Sequence, residues 1–189
     1  MSFTNKFYFF AFGLSGLLIF LRSEIIFGDN IIAPFTDDFY YYLNTANNFL
    51  KLGLISFDKI NLTNGYQPLW FFFILLLKWI IINEILFNSI VFISILLFSF
   101  GVYYNSKKFF KSLNYSDENS NFIAILTSYL TLYFSKNGME IALAIFLFSW
   151  SLLYLKKNLL IFSFLSFLTF LTRLEFIYIF FFILFNEYV

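Results

Sequence analysis

The sequence predicts an all-α integral membrane protein with about five transmembrane helices and with interfacial helices in its first outer loop. Hydrophobic residues make up 61% of the 189 residues, charged residues make up 12%, and the mean hydropathy is +0.81. Soluble domains are closer to half apolar and a quarter charged, and a chain this short cannot hide so much apolar surface in its own core. Residues 1–189 are therefore predicted to form a single membrane domain.

The composition also limits the chemistry that the chain can perform. It contains no cysteine and no histidine, so disulfides, thiolate chemistry and the commonest general base and metal ligand are excluded. Any catalysis must rest on Asp, Glu, Lys, Arg, Tyr or Asn side chains. The formal net charge of +1 argues against a nucleic-acid partner.

Several apolar runs are long enough, or nearly long enough, to cross a bilayer, which takes about 20 helical residues. They cover residues 7–27, 85–104, 122–135, 139–155 and 159–185. Lys6 precedes the first run and no small-residue cleavage site follows it, which favours an uncleaved span over a signal peptide. Arg173 and Glu175 interrupt the last run. At a spacing of two they do not face each other on a helix, so either the helix breaks there or each has another partner.

The lysines set the expected orientation, because cytoplasmic loops carry an excess of Lys and Arg. Those that would share one side are Lys6, Lys107, Lys108, Lys111, Lys156 and Lys157. They share it only if residues 68–82 do not cross, so this short run, with Trp70, Lys78 and Trp79, is expected to lie at the outer interface. Residues 28–84 then form the outer loop. The expected location is a multi-pass plasma (inner) membrane, with the active face outward.

The outer loop contains a second predicted interfacial helix, Asp37–Leu52. Its apolar residues recur at helical spacing, namely Phe39, Tyr42, Leu43, Ala46, Phe49 and Leu50. Asparagines and Lys51 occupy the other face. Thr36 is expected to be its N-cap and Gly53 its C-terminal stop.

The acidic pair Asp37-Asp38 opens this helix and is the first candidate for chemistry. One interpretation is structural, since acids in the first turn stabilise a helix through its dipole by about 0.3–1 kcal/mol. The other is a catalytic base or a metal-facing carboxylate at the membrane edge. Consecutive side chains point about 100° apart on a helix, so one Asp would act while the other caps or pairs. We favour Asp37, which is nearer the exposed helix start.

Three other polar segments are candidates. They are the loop 63–70 (TNGYQPLW), the turn at Lys136 with Glu140, and Arg173 with Glu175. Asn64-Gly65 is a turn signal, and Pro68 suits the first turn of a helix; an ordinary loop entering a helix would have the same residues. Ionisable groups in apolar runs usually face a cavity or a partner. The alternative for Arg173 is snorkelling to the outer interface.

Taken together, these residues resemble the N-terminal part of a bacterial C-fold (GT-C) glycosyltransferase. This polytopic class includes protein O-mannosyltransferase-like and aminoarabinose-transferase-like enzymes. The matching motifs are Asp37-Asp38-Phe39-Tyr40-Tyr41 with Ala46, residues 63–70, Asn137-Gly138-Met139-Glu140 and Leu171-Thr172-Arg173-Leu174-Glu175. They follow one another in the order and topology of that class and cover almost the whole chain.

The resemblance implies a sugar donor linked to polyprenyl phosphate in the membrane lipid. It also implies transfer on the outer face by a single displacement with inversion. Catalytic roles fall to Asp37 and Asp38. Donor or substrate binding falls to Asn64, Gly65, Tyr66, Gln67, Lys136, Glu140, Arg173 and Glu175. Cations would stabilise the leaving phosphate, and a divalent cation, where one takes part, would be held by Asp37 or Asp38.

Enzymes of this class usually continue through more spans than the five or so expected here. The chain is therefore expected to be a truncated product, one half of a split enzyme with a C-terminal partner chain, or an inactive gene fragment. An alternative from another class is a non-catalytic membrane subunit, such as a flippase or transporter component for lipid-linked sugars. Acids deep in mid-span would favour transport. The candidate acids Asp37, Asp38, Glu140 and Glu175 lie in the outer loop and at outer span ends, which favours chemistry on a lipid headgroup.

Overall fold

The computed structural model describes residues 35–188, and all regular secondary structure in that range is helical. The helices are α1 (Asp37–Leu52), α2 (Pro68–Ile80), α3 (Glu84–Ser112), α4 (Asp117–Ser135), α5 (Ile141–Leu152), α6 (Leu159–Thr172) and α7 (Phe176–Tyr188). The all-α prediction is confirmed for this part of the chain. The predicted first span at residues 7–27, together with Lys6, lies outside the described residues.

Helix α3 has 29 residues and is the one helix in the described range that is long and apolar enough to cross a membrane, by length and composition. The predicted span at residues 85–104 lies within it. Helices α2, α5 and α6 are apolar but have 13, 12 and 14 residues. At 1.5 Å per residue, the shortest and longest of these measure about 18 and 21 Å, against about 30 Å of bilayer hydrocarbon.

The last apolar run is broken at Arg173, which is one of the two outcomes that its charges predict. Helix α6 ends at Thr172, and Arg173 has an extended backbone with φ −152° and ψ 118°. Helix α7 begins at Phe176. The break removes Arg173 from the apolar face of a continuous helix and leaves its side chain free to reach a neighbouring element.

Helix α1 has the predicted bounds. Gly53 ends it at φ 70°, a left-handed conformation that glycine adopts readily, and its N–H donates to the carbonyl of Phe49 at 2.9 Å. Thr36 occupies the N-cap position but makes no side-chain capping bond; its hydroxyl donates to the carbonyl of Asn137 at 3.3 Å. Most of the predicted apolar face is buried, including Phe39, Tyr42, Leu43 and Ala46. The prediction was wrong for Leu50, which is 41% exposed, and for Asn48, which was placed on the polar face and is buried.

Helix α2 begins at Pro68, as predicted, and packs one face into the core. Trp70 is fully buried, and its ring stacks on Phe73 with a centroid separation of 5.0 Å. Trp70 is therefore a core residue and not the surface anchor that the sequence suggested. Trp79 keeps 71% of its surface exposed. The ammonium of Lys78 pairs with Glu84 at 2.5 Å, which joins the end of α2 to the start of α3.

Helices α3 and α4 pack as an antiparallel pair. The end of the pair at which α3 finishes and α4 begins lies away from α1. The hydroxyl of Ser128 donates to the carbonyl of Ser99 at 2.6 Å in the middle of the pair. Near the end of α3, the ammonium of Lys111 pairs with Asp117. At the start of α3, the ring of Phe87 lies 6.3 Å from that of Phe39 in α1. The lysines near the end of α3, namely Lys107, Lys108 and Lys111, therefore lie at the end of this helix opposite to the acidic pair.

Candidate active site

The acidic start of α1 lies against the turn that precedes α5. Both the backbone N–H and the hydroxyl of Thr36 donate to the carbonyl of Asn137, at 3.4 and 3.3 Å. The two residues are 101 positions apart in the sequence. Asp37 and Asp38 follow directly after this junction, and both side chains are exposed. The start of α1, with the acidic pair, and the segment Asn137-Gly138-Met139-Glu140 are therefore joined by hydrogen bonds.

Gly138 makes this junction possible. It has φ +81°, a left-handed conformation that side-chain-bearing residues rarely adopt. A Cβ at this position would lie 2.7 Å from the ring of Phe35 and 2.8 Å from the ring of Phe39. The two rings pack against each other with centroids 4.3 Å apart. The glycine is therefore required both by the turn and by the close approach of α1.

Glu140, which immediately precedes α5, is a buried carboxylate. Its side chain is 4% exposed, and its Oε1 lies 3.6 Å from Nε of Arg173. Its other oxygen, Oε2, is buried and has no hydrogen-bond partner among residues 35–188. A buried charge needs a partner, because desolvation is expensive. The ion pair with Arg173 supplies one, and Oε2 remains a free acceptor inside the protein.

Arg173 is shared between two carboxylates. Besides Glu140, its guanidinium reaches Oε1 of Glu175 at 3.4 Å. Glu175 is itself exposed, and the side chain of Arg173 is 34% exposed. The planar guanidinium has five N–H donors, so these two contacts leave donors available on the accessible side. The segment Asn137-Gly138-Met139-Glu140 and the segment 171–175 therefore contact each other through the Arg173–Glu140 ion pair.

Tyr42 belongs to the same site, although the sequence indicated only an apolar helix face for it. Its hydroxyl accepts the backbone N–H of Gln67 at 3.1 Å, which connects α1 to the 63–70 loop. Burial raises the pKa of Tyr42 to about 12, partly offset by that hydrogen bond, so the phenol stays neutral. The charges of Glu140, Arg173 and Asp38 act on it. Its spacing of four from Asp38 was the available signal, since such residues share a helix face.

Asp38 is the member of the acidic pair whose charge is coupled to this group. Its charge acts on both Tyr42 and Glu140. The charge of Glu175 also acts on Glu140. The exposed helix start favoured Asp37 on sequence grounds, whereas these electrostatic neighbours favour Asp38. The i, i+4 relation between Asp38 and Tyr42 is the physical reason.

The 63–70 loop leans on α1 through a second tyrosine. The hydroxyls of Tyr41 and Thr63 are hydrogen-bonded to each other. Tyr66 packs on Phe71 with ring centroids 4.7 Å apart. Asn64 and Gly65 are exposed beside these contacts. The second motif is thus held at the acidic end of α1, with its turn open to the surroundings.

Lys136 is less closely joined to the site. Its side chain is exposed, and its ammonium lies 4.4 Å from the centroid of the Tyr133 ring. A cation over an aromatic face is stabilised by the ring alone and does not require a carboxylate partner. Within the described residues, Lys136 forms no ion pair with Glu140 or Glu175. Lys136 is therefore next to the junction between α1 and the turn before α5, but it takes no part in the ion pairs of Arg173 with Glu140 and Glu175.

The acidic residues of the described range do not form a metal cage. In the described part of the chain, no group of three or more acidic, histidine or cysteine side chains is placed to hold a metal ion. A protein cage for calcium draws several oxygen ligands together, and among residues 35–188 Asp37 and Asp38 have no third carboxylate that completes such a group. The side chains of residues 35–188 therefore supply no complete cage for a divalent cation, and no step is assigned to one.

Comparison of the chain with protein families, with curated proteins and with solved structures finds no match.

Proposed function

We propose that this chain is a multi-pass membrane glycosyltransferase of the GT-C type, or the part of one that carries the reaction site. Its donor is a sugar linked to polyprenyl phosphate, and it transfers that sugar to an acceptor on the outer face. One observation carries the proposal. Four polar segments lie together at one end of an otherwise apolar helical protein. Two hydrogen-bonded residues in this group, Thr36 and Asn137, are 101 positions apart in the sequence.

The membrane part of the proposal rests on exposed hydrocarbon as well as on α3. Large apolar side chains are exposed on nearly every helix, including Phe72, Leu76, Leu97, Phe100, Leu126, Leu160, Phe164, Phe181 and Phe182. Large contiguous apolar patches are rare on a water-soluble monomer, and exposed apolar side chains on so many helices favour a lipid environment instead. Lipid contact accounts for these faces, including those of helices shorter than a full span. The acidic end of α1 is then outside, and the Lys107–Lys111 end of α3 is cytoplasmic.

The proposed reaction uses a carboxylate of the acidic pair as general base. The acceptor hydroxyl oxygen bonds to the anomeric carbon as the bond from that carbon to the phosphate oxygen breaks. The carboxylate of Asp38, or of Asp37, takes the hydroxyl proton, and the polyprenyl phosphate leaves with the bond electrons. The displacement inverts the configuration at the anomeric carbon. General-base assistance of this kind contributes about 10²–10⁴-fold to rate.

Arg173 is the proposed partner of the leaving phosphate. A guanidinium presents its donors in a planar fork that matches phosphate oxygens. Glu140 and Glu175 hold it in position, and its remaining donors are accessible. Stabilisation of charge that develops on the leaving group is often the largest single contribution to such a reaction. Gln67 and the exposed Asn64 border the same region and are the proposed contacts for the sugar.

The test is a transfer assay on the purified chain in proteoliposomes. The probes are radiolabelled hexoses linked to short polyprenyl phosphates, with simple alkyl glycosides as acceptors, and the readout is labelled product. We expect product with the wild-type chain, alone or once a C-terminal partner chain is added, and a loss of at least about 10²-fold in the double variant Asp37→Asn with Asp38→Asn. Equal transfer by both proteins would refute the catalytic role. Movement of the labelled lipid across the bilayer, without transfer, would identify the flippase alternative instead.

A further inference from the structure

The loop that follows α1 exposes apolar side chains at a fixed tip. We call residues 53–63 the apolar loop. Within it, Ile60 is 84% exposed and Leu62 is 77% exposed. Leu52, at the end of α1, and Leu54 are exposed beside them. Surface loops are more often polar than aliphatic, so a tip with two such exposed aliphatic side chains is a candidate for contact with an apolar partner.

The tip is held in shape by one carboxylate. Asp58 accepts hydrogen bonds from the backbone N–H groups of Ile60 and Asn61 at 2.9 and 2.8 Å. It also accepts from the side chains of Asn61 and Ser56, at 2.8 and 3.0 Å. The backbone bonds from Asn61 and Ile60 hold the pKa of the Asp58 carboxyl well below its usual range. The turn that presents Ile60 is therefore held by four hydrogen bonds to one carboxylate.

The base of the loop is fastened to α1. The side-chain amide of Asn48, which is buried, donates to the carbonyls of Ser56 and Phe57 at 2.8 and 3.0 Å. The ring of Tyr41 stacks on that of Phe57, with centroids 4.9 Å apart. The backbone of Thr63 donates to Ile55 at 2.9 Å. The outward position of the aliphatic tip is thus imposed by buried polar bonds at its base.

Positive charges flank the aliphatic side chains. Lys51 lies in the last turn of α1, and Lys59 is next to Ile60, and both are exposed. Asp58 is the only acid between them, and its carboxylate is committed to the turn. The acidic pair lies at the other end of the 16-residue helix, about 20 Å away at 1.5 Å per residue. This end of α1 is therefore aliphatic with a basic rim.

We propose that the apolar loop is a lipid anchor, with Ile60 and Leu62 inserted into the acyl region of the outer leaflet and with Lys51 and Lys59 on anionic phospholipid headgroups. Aliphatic residues beside basic ones are the pattern of interfacial membrane binding. A second copy of the chain is a poorer occupant, because a two-fold contact would bring these lysines towards their own equivalents. The inference rests on the membrane part of the proposed function and does not depend on sugar transfer.

The anchor would set the height of the reaction site above the bilayer. Tyr41 contacts the loop through Phe57 and through Thr63. The neighbouring Tyr42 is part of the candidate site, where the charges of Glu140 and Arg173 act on it. A loop fixed at headgroup depth therefore holds this group at the level where a lipid-linked phosphate lies.

The experiment places an environment-sensitive fluorophore on single cysteines, since the native chain has none. The probe positions are 60 and 62, each in the full chain in nanodiscs, and the control is position 44, an exposed asparagine on the polar face of α1. Quenching is measured with nitroxide-labelled lipids and with aqueous iodide. Each measurement is made in phosphatidylcholine alone and in phosphatidylcholine with phosphatidylglycerol.

We expect lipid quenching at positions 60 and 62, iodide quenching at position 44, and stronger lipid quenching in the anionic nanodiscs. Lys59→Gln with Lys51→Gln should remove that dependence on anionic lipid. Iodide quenching at positions 60 and 62 equal to that at position 44 would overturn the proposal. Protection from both quenchers, or disulfides between unlabelled position-60 cysteines of two chains, would also overturn it in favour of a protein partner. Lipid quenching without any sugar transfer would leave the anchor standing while the glycosyltransferase proposal fails.

Discussion

Nε of Arg173 lies 3.6 Å from Oε1 of Glu140, an ion pair that joins the break after α6 to the start of α5. The carboxylate is buried, while the guanidinium is partly exposed and also reaches Glu175. The pair therefore has an inner, structural side and an outer side that a ligand can approach. The two sides can be separated by mutation.

Arg173→Ala is expected to weaken binding of a polyprenyl-phosphate donor by about tenfold or more, because charged hydrogen bonds to the phosphate are lost. It should also destabilise the protein by up to about 3 kcal/mol, since Glu140 is left buried and unpaired. Adding Glu140→Gln should recover stability without recovering donor binding. Lys157→Ala, an exposed lysine, is the control. Donor affinity equal to that of the control, measured by photo-crosslinking, would remove Arg173 from the site.

The acidic pair should respond unequally to neutralisation. Asp→Asn keeps side-chain size and suitability for the helix start, so expression and membrane insertion should be unchanged. Because the charge of Asp38 acts on Tyr42 and Glu140, Asp38→Asn should lower transfer by at least about 10²-fold, and Asp37→Asn should lower it less. The measurement is the initial rate in proteoliposomes. The reverse order would return the catalytic role to Asp37, and wild-type rates in both variants would reduce the pair to a helix start.

The junction between α1 and the turn before α5 should depend on Gly138. An alanine there must adopt φ +81° and place its Cβ against the rings of Phe35 and Phe39. Gly53→Ala is a matched control, because that glycine has φ +70° with nothing within 4 Å of the added Cβ. Both variants bear the backbone strain. Gly138→Ala should lower the free energy of unfolding by at least about 1 kcal/mol more, from overpacking.

Denaturant unfolding in detergent measures this difference. Transfer should fall in Gly138→Ala and persist in Gly53→Ala, since only the former displaces the acidic pair from the Glu140 turn. Equal losses of stability would mean that the rings move aside without penalty.

Tyr42 predicts a dependence on alkaline pH. Burial raises its pKa from 10.0 to about 12 in the folded protein. Because the folded pKa is the higher one, its contribution to stability is complete below pH 10 and is lost as the pH rises towards 12. Tyr42→Phe should remove this component, so its unfolding free energy should fall less steeply across that window. A slope identical to the wild type would show that the phenol is not protected in the folded state.

The orientation can be tested by labelling from outside. A single cysteine at position 47, in α1, should react with a membrane-impermeant maleimide in intact cells. One at position 114, in the loop after α3, should react only after permeabilisation. The 29 residues of α3 separate the two sites, which is about 43 Å at 1.5 Å per residue. Labelling at 114 without labelling at 47 would reverse the orientation and place the acidic pair in the cytoplasm.

Local patterns determined much of the secondary structure. The bounds of α1 follow from an apolar period of 3.6 and from Gly53, which ends the helix at positive φ. Pro68 marks the start of α2 because its missing N–H is no loss in the first turn. The charges of Arg173 and Glu175 predicted either a helix break or outside partners, and the structure contains both the break and the Glu140 partner. These features depend on residues only a few positions apart, which sequence reasoning can compare directly.

Tertiary structure decided how those segments meet. Trp70 looked like an interfacial anchor, but the packing of α2 buries it in the core. Tyr42 looked like one apolar position among several, and only the approach of Gln67 reveals its hydroxyl as part of the site. The sequence contains the acidic pair, the glycine turn and the arginine as separate motifs. Their convergence depends on contacts across 101 positions, and such long-range contacts are set by the packing of the whole chain, which local periodicity does not encode.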